Sequence, residues 1–204
     1  VGIRPPDHDS GEQRNTRAIS SMGQLHEPPP ALLILAAFSQ SDEALDWARA
    51  CAVQQYGSVA LESPRYDFDQ TDYYEPTMGP RLKKTFWLFE PRFDPARLAE
   101  VKLQTNVWEE TYAKQRGSDA RPRPLNLDPG YLTQAKLVLA STKNHMHRIY
   151  LRDGIFAEIT LHYHDGDWRP WDWTFKDYRR DDYRAFFNAC RQHLRDELRR
   201  ESTT

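Results

Sequence analysis

NLDPGYLTQAKLVLASTKNHMHRIYLRDGIFAEIT, residues 126–160, is the stretch whose reading decides the fold. It opens on Asp128-Pro129-Gly130, which reads as a tight turn: proline presets one dihedral and glycine supplies a positive one. Asn126 and Asp128 are then expected to cap backbone groups of that turn. An apolar strand follows over Ala135–Ser141, then a hairpin of His147–Leu151 and Ile155–Tyr163. If Arg152-Asp153-Gly154 is a three-residue loop, Leu151 faces Ile155, Ile149 faces Ala157, Tyr150 faces Phe156 and Arg148 faces Glu158. One face then reads Ile149, Leu151, Ile155, Ala157, Ile159 and Leu161. The other carries Arg148, Glu158, Thr160 and His162. A two-residue loop would set Ile149 against Glu158, and burial argues against that slip.

Upstream, Ala31–Phe38 (ALLILAAF) is a buried strand, and Ser41 caps a helix that carries Leu45, Ala48 and Ala52 inward and stops at Gly57. Val59–Glu62 and Lys84–Phe89 have strand character, with an irregular acidic and tyrosine-rich segment, residues 64–81, between them. Asp94-Pro95 starts a second helix running to about Ala113, with Leu98, Val101, Thr105, Trp108 and Tyr112 on its inner face. Trp168–Phe175 reads as a strand reached through Asp165-Gly166, and Asp181 or Asp182 opens a last helix. The pattern predicts one α+β domain over 31–200, mainly an antiparallel sheet with helices packed on it and a ferredoxin-like start.

Residues 1–30, rich in proline and without hydrophobic period, read as a disordered leader, with Val1 and Met22 both candidate starts. The formal net charge of -2 gives no global pull toward nucleic acid or anionic membrane. No apolar run approaches the ~20 residues of a membrane span. Cys51 and Cys190 have no metal-like spacing and fall on apolar helix positions, so both read as buried thiols. A cytoplasmic protein is the expectation.

Several polar groups could carry chemistry. Lys102, Asn106 and Glu109 fall at i, i+4 and i+7 beside the apolar stripe of the second helix, where they either wall a cleft or form a solvated ion-paired face. Lys143, His145, His147 and Arg148 form a local cationic group suited to phosphate or carboxylate. Arg148 and Glu158 read equally as a half-exposed cross-strand ion pair worth under about 1 kcal/mol. Asp67, Asp69, Asp72 and Glu75 alternate with Tyr66, Tyr73 and Tyr74, as a ligand-contacting loop or a solvated one. His145 and His147 at i, i+2 could also bind a metal with Glu158 or His162 nearby, but no HExxH or CxxC supports this, and no nucleotide or hydrolase signature is present. No cofactor is implied. The arginines of the last helix would serve RNA, although its acids partly neutralise them.

These same segments resemble a bacterial family catalogued as a domain of unknown function, number four-four-one-six. The resemblance lies in Tyr73-Tyr74-Glu75 with Met78-Gly79, in Lys102, Thr105-Asn106 and Glu109, and in NLDPGY at 126–131. It continues through Val138, Thr142-Lys143, HRIYL at 147–151, Gly154-Ile155, Ala157-Glu158 and Thr160-Leu161, and ends with Trp173-Thr174 and Asp177-Tyr178. It covers about residues 31–195 and implies no reaction. Pro76 stands where the family pattern has an acid, and Lys176 where it has a proline. The expected function is a polar cleft for a small anionic ligand, a nucleotide or phosphorylated metabolite. Its binding groups would be Lys102, Asn106, Glu109, Lys143, Arg148, Tyr74 and Thr160. In an acid/base hydrolase or transferase, Glu158 or Glu75 would be the base and His147 an acid/base. The alternatives are a non-catalytic binding or assembly module, or an RNA-binding protein.

Overall fold

A computed structural model describes residues 26–71, 73–117 and 121–203. Most of the expected leader, with Val1 and Met22, lies outside the described residues, as do Asp72 and residues 118–120. His26–Pro30 are exposed and carry no secondary structure.

The chain order is β1 (Leu32–Ser39), α1 (Asp42–Tyr56), β2 (Val59–Glu62), β3 (Tyr66–Phe68), α2 (Glu75–Met78), β4 (Leu82–Arg92) and α3 (Leu98–Arg116). Then come β5 (Asn126–Leu132), β6 (Lys136–Ser141), β7 (Ile149–Arg152), β8 (Ile155–His164), β9 (Asp167–Pro170) and α4 (Asp181–Glu201). The strands form one antiparallel sheet in the order β2-β4-β1-β5-β6-β8-β7, with β3 on β4 and β9 on β8. The β2-β4-β1-β5 part, with α1 and α3 as crossovers sharing one core, is the expected ferredoxin-like start. β1 is buried on both faces, which explains its unbroken apolar run. Its Leu33, Leu35 and Ala37 meet α1 and α3. Its Leu32, Ile34 and Ala36 meet Phe86, Leu139 and the Tyr183, Phe187 and Leu194 side of α4.

The helix ends follow the caps. Ser41 Oγ accepts from Ala44 N–H, the Gly57 N–H donates to Val53 O, and Asp94 accepts from Ala96 N–H ahead of one 3₁₀ turn at Pro95–Arg97. No helix of the described residues is long and apolar enough to cross a membrane.

The hairpin keeps the expected pairs, Ile149 with Ala157 and Tyr150 with Phe156, but not the expected loop. Asp153 and Gly154 alone make the turn, at φ 53° and 75°, as a two-residue primed turn requires. Leu151 is the extra residue, bulged so that Arg152 pairs with Ile155. A second bulge, at Thr160, sits between the Leu137–Leu161 and Val138–Ile159 pairs. It turns Leu161 to the α4 core while Ile155 and Ala157 pack under α3. The single apolar face is therefore corrected: it is split between two cores, and Ile149 and Ile159 are exposed.

Asp128-Pro129-Gly130 is not a turn. It lies in mid-strand, paired with Ala36, Leu35 and Ile34 of β1. The glycine serves close approach instead, since a Cβ there would sit 2.2 Å from Val138 O. β5 meets β6 only over Gly130–Leu132, and below Pro129, which has no N–H to donate, the two strands part. The irregular 64–81 segment contains β3 and the single-turn α2, whose first turn takes Pro76. The expected strand to Phe175 ends at Pro170. A turn, Trp171–Thr174, replaces its second half.

Candidate functional site

α4 covers only part of its face of the sheet. The uncovered end of that face is a cleft of ≈ 750 Å³. Residues of β4, β1, β5, β6 and β8 floor it, and Gln70, Thr71, Tyr73 and Tyr74 with segments 141–148 and 172–179 wall it. This volume suits a small-molecule ligand.

The parting of β5 and β6 puts Lys102 in the site. Although α3 lies on the opposite face of the sheet, Lys102 Nζ donates to Leu127 O at 2.7 Å and lies 3.4 Å from Asp128 Oδ1. Two turns on, Glu109 accepts from Leu127 N–H at 2.8 Å and from Arg123 at 3.1 Å. Burial pushes the Glu109 carboxyl up, against Lys102 and Arg123. Glu109 thus stands behind the floor, and Asn106, with its shorter side chain, does not line the cleft.

Asp128 lies deep in the protein, yet its side chain is 31 % exposed because the cleft opens onto it. Burial alone would raise its carboxyl. Lys102, then Lys84 and Arg123, outweigh that effect, and Asn126 Nδ2 donates to it at 2.8 Å, so its pKa falls below the ordinary 3.8. Tyr74, edge-on to Phe38, lines the wall beside it; burial and then Asp128 keep its hydroxyl protonated.

At the other end, Glu158 Oε2 receives Arg148 Nε at 2.8 Å and pairs with His147 Nε2 at 2.9 Å, while Thr160 Oγ1 donates to Oε1. Arg148 Nη1 donates to Ser141 Oγ and Lys143 O, fixing the loop that carries Lys143 and His145. The Arg148 and Glu158 side chains are 3 % and 1 % exposed, so the half-exposed pair expected from sequence is instead a buried one. Lys143 Nζ reaches the hydroxyl of exposed Tyr73 and lies over its ring.

The 171–174 turn hangs on Thr174 Oγ1, which donates to Thr160 O where neither β7 nor β9 pairs with β8. Arg179 donates to the carbonyls of Trp171, Asp172 and Thr174. This turn completes a row of rings, His145, His147, Trp173, Trp171 and His162, with neighbouring centroids 4.2–5.8 Å apart. His147 is clamped between two of them.

The structure therefore brings Lys102, Lys143, Arg148, Glu158 and Tyr74 to one cleft. His147 and Thr160 support Glu158 from outside the lining. Glu75, exposed at the start of α2, is not part of the lining. Sequence reasoning missed Lys84, Arg123 and Asp177, and gave Asn126 and Asp128 to a turn. The signal for Lys84 was present: it shares the inward strand period with Leu82, Phe86 and Leu88. No group of three or more His, Cys, Asp or Glu among the described residues is placed to hold a metal ion.

The two shifted carboxyls act oppositely on stability. Asp128, depressed, contributes stability that is present above its unfolded value and lost as pH falls through the folded one. Glu109, raised, is penalised at neutral pH and relieved on acidification. Urea midpoints should drop below about pH 4, and Asp128→Asn should flatten that drop. An equal drop in the variant would assign it elsewhere.

No curated protein and no solved structure matches the chain. A family model described as a domain of unknown function (DUF4416) matches residues 29–194, and the chain belongs to that family.

Proposed function

We propose that the cleft binds a small anionic ligand, a nucleotide or phosphorylated metabolite. The observation that carries this reading is charge: seven Lys and Arg line the cleft against four Asp and Glu, in a chain of net charge -2. Internal pairing accounts for most of them. Lys84 pairs with Asp177, Arg148 with Glu158, and Lys102 and Arg123 with Asp128 and Glu109. Among the described residues this leaves Lys143, Lys176 and Arg179 on the walls against Asp172 alone. A concave site with surplus positive charge concentrates anions.

Lys143 is the leading anion contact. Arg148 and Glu158 act through it, because their mutual bonds hold its loop. If the cleft carries acid/base chemistry, Glu158, a carboxylate that lines it, is the base, and His147 holds that carboxylate from outside the lining. Glu75 lies outside the lining. The second reading, binding without chemistry, draws on the same fact: both Glu158 oxygens are already occupied. RNA binding draws little support from α4, where Arg184 and Arg199, with Arg180 at the N-cap, pair with aspartates.

Thermal shift tests the proposal. Ribose 5-phosphate or nucleoside monophosphates at about 100 times Kd should stabilise the fold by about 2.7 kcal/mol. Lys143→Ala, at an exposed position, should weaken binding about tenfold, or ~1.4 kcal/mol. Melting shifts unchanged in both Lys143→Ala and Lys176→Ala would place the anion outside this cleft.

A further inference from the structure

Of the four carboxylates that line the cleft, one is held in place without being used up. Glu158 has both oxygens bonded, to Arg148, His147 and Thr160. Asp177 is 6 % exposed and spent on Lys84. Asp172 stands exposed on the wall. Asp128 differs from all three. Lys102 Nζ lies 3.4 Å from its Oδ1, and Asn126 Nδ2 donates to its Oδ2 at 2.8 Å. A carboxylate has roughly four acceptor sites, so each oxygen keeps one open. Lys102 comes from the far side of the sheet, and the exposed part of the side chain borders the cleft, so the open sites face a ligand.

The surroundings limit what these acceptors can take. Against burial, Lys102, Lys84 and Arg123 keep the carboxyl ionised. The same three charges repel an amine, a guanidinium or a metal cation. A phosphate is repelled by the carboxylate itself. Neutral donors remain, and two side by side, one for each oxygen, are what a vicinal diol offers. Hydrogen bonds to an ionised acceptor are the strong kind. The Tyr74 ring, near enough to feel the Asp128 charge, walls the carbon side of such a ligand.

Two links tie Asp128 to the anion contact. Gly130 pairs with Leu139, so two residues on along each strand Asp128 is level with Ser141 on the same face. Lys143 N–H donates to Ser141 Oγ, so the loop that carries Lys143 leaves β6 at that level. Independently, Lys143 Nζ donates to the Tyr73 hydroxyl, and the Tyr73 ring centroid is 5.0 Å from that of Tyr74.

We propose that Asp128 binds a vicinal diol, and that the ligand of the cleft is a sugar phosphate, free or as the ribose of a nucleotide. Its two hydroxyls sit on Asp128 and its phosphate lies toward Lys143. The inference rests on the anion-binding reading of the same cleft and adds the sugar to it.

The test is calorimetric titration of the full chain with two ligand pairs. One is ribose 5-phosphate against 2-deoxyribose 5-phosphate, the other adenosine 5′-monophosphate against its 2′-deoxy form. Removing one hydroxyl destroys the diol and leaves the phosphate. The ribose member should bind at least about tenfold more tightly. A preference in both pairs means that the diol is read whatever carries it, and a preference in one pair alone supports the proposal with that source. Asp128→Asn removes a negative charge from an anion site and should tighten every phosphate compound, so the ratio within a pair is the readout. That ratio should fall to within about threefold. If both members of each pair bind alike, the diol reading falls and the anion site stands. If no phosphate compound binds, both fall. A ratio undiminished in Asp128→Asn overturns the assignment to that residue. Should the variant fail to fold, the two ligand pairs decide alone.

Discussion

Asp177→Ala should destabilise the fold by about 3–5 kcal/mol, read as a fall in the urea midpoint at constant slope. The expectation follows from where Lys84 sits. Its ammonium and the Asp177 carboxylate are 3 % and 6 % exposed, 2.6 Å apart. Removing the carboxylate leaves a charge inside a cage of aromatic rings with no oxygen to compensate it. The rings offset some of the cost, since an ammonium over an aromatic face gains on the order of 1–2 kcal/mol when desolvated. They do not replace a charge-assisted hydrogen bond. The double variant Lys84→Met/Asp177→Ala separates the pair from its parts. It should recover much of the loss, because a buried ion pair replaced by apolar side chains often costs little. A loss under about 1 kcal/mol in Asp177→Ala would mean that the Lys84 ammonium escapes to water.

Lys84 also marks where sequence reasoning stops. Helix caps were legible because their causes are local: Ser41, Gly57 and Asp94 each solve a problem within four residues of themselves. The order of the first elements was legible because periodicity and length imply a crossover sheet. Bulges were not, because Leu151 and Thr160 are extruded by pairing between strands and leave no trace in composition. Asp128-Pro129-Gly130 misled for a related reason. Its residues suit a turn, and only the neighbouring β6 backbone shows that glycine is there to admit Val138 O. The Lys102–Glu109 stripe was legible as a polar line, but not its outcome. A lysine reaching between two parted strands depends on Pro129, which is distant in sequence. The inward period of β4 marks Lys84, but its partner Asp177 lies 93 residues away and no local pattern links the two.

The Arg148–Glu158 pair was foreseen, and its burial changes what its loss should do. Arg148→Ala is expected to cost about 3–5 kcal/mol, several times what a surface pair would. Glu158 would remain buried with His147 and Thr160 as its partners. Arg148→Lys should rescue little. The guanidinium spends Nε on Glu158 and Nη1 on Ser141 and the Lys143 carbonyl, a fork that a single ammonium cannot reproduce. The same bonds link stability to binding, because they hold the 141–148 loop that presents Lys143 and His145 to the cleft. Arg148→Ala should therefore weaken ribose 5-phosphate binding even at temperatures where the variant is fully folded. Lys143→Ala should weaken it with the fold unchanged. Glu158→Gln discriminates further: it keeps shape and some hydrogen bonding but removes the charge, leaving Arg148 as the uncompensated partner. It should cost nearly as much stability as Arg148→Ala, and the two together should cost less than their sum. Additive losses would mean that the two side chains act separately, and that the loop is held by something other than their pairing.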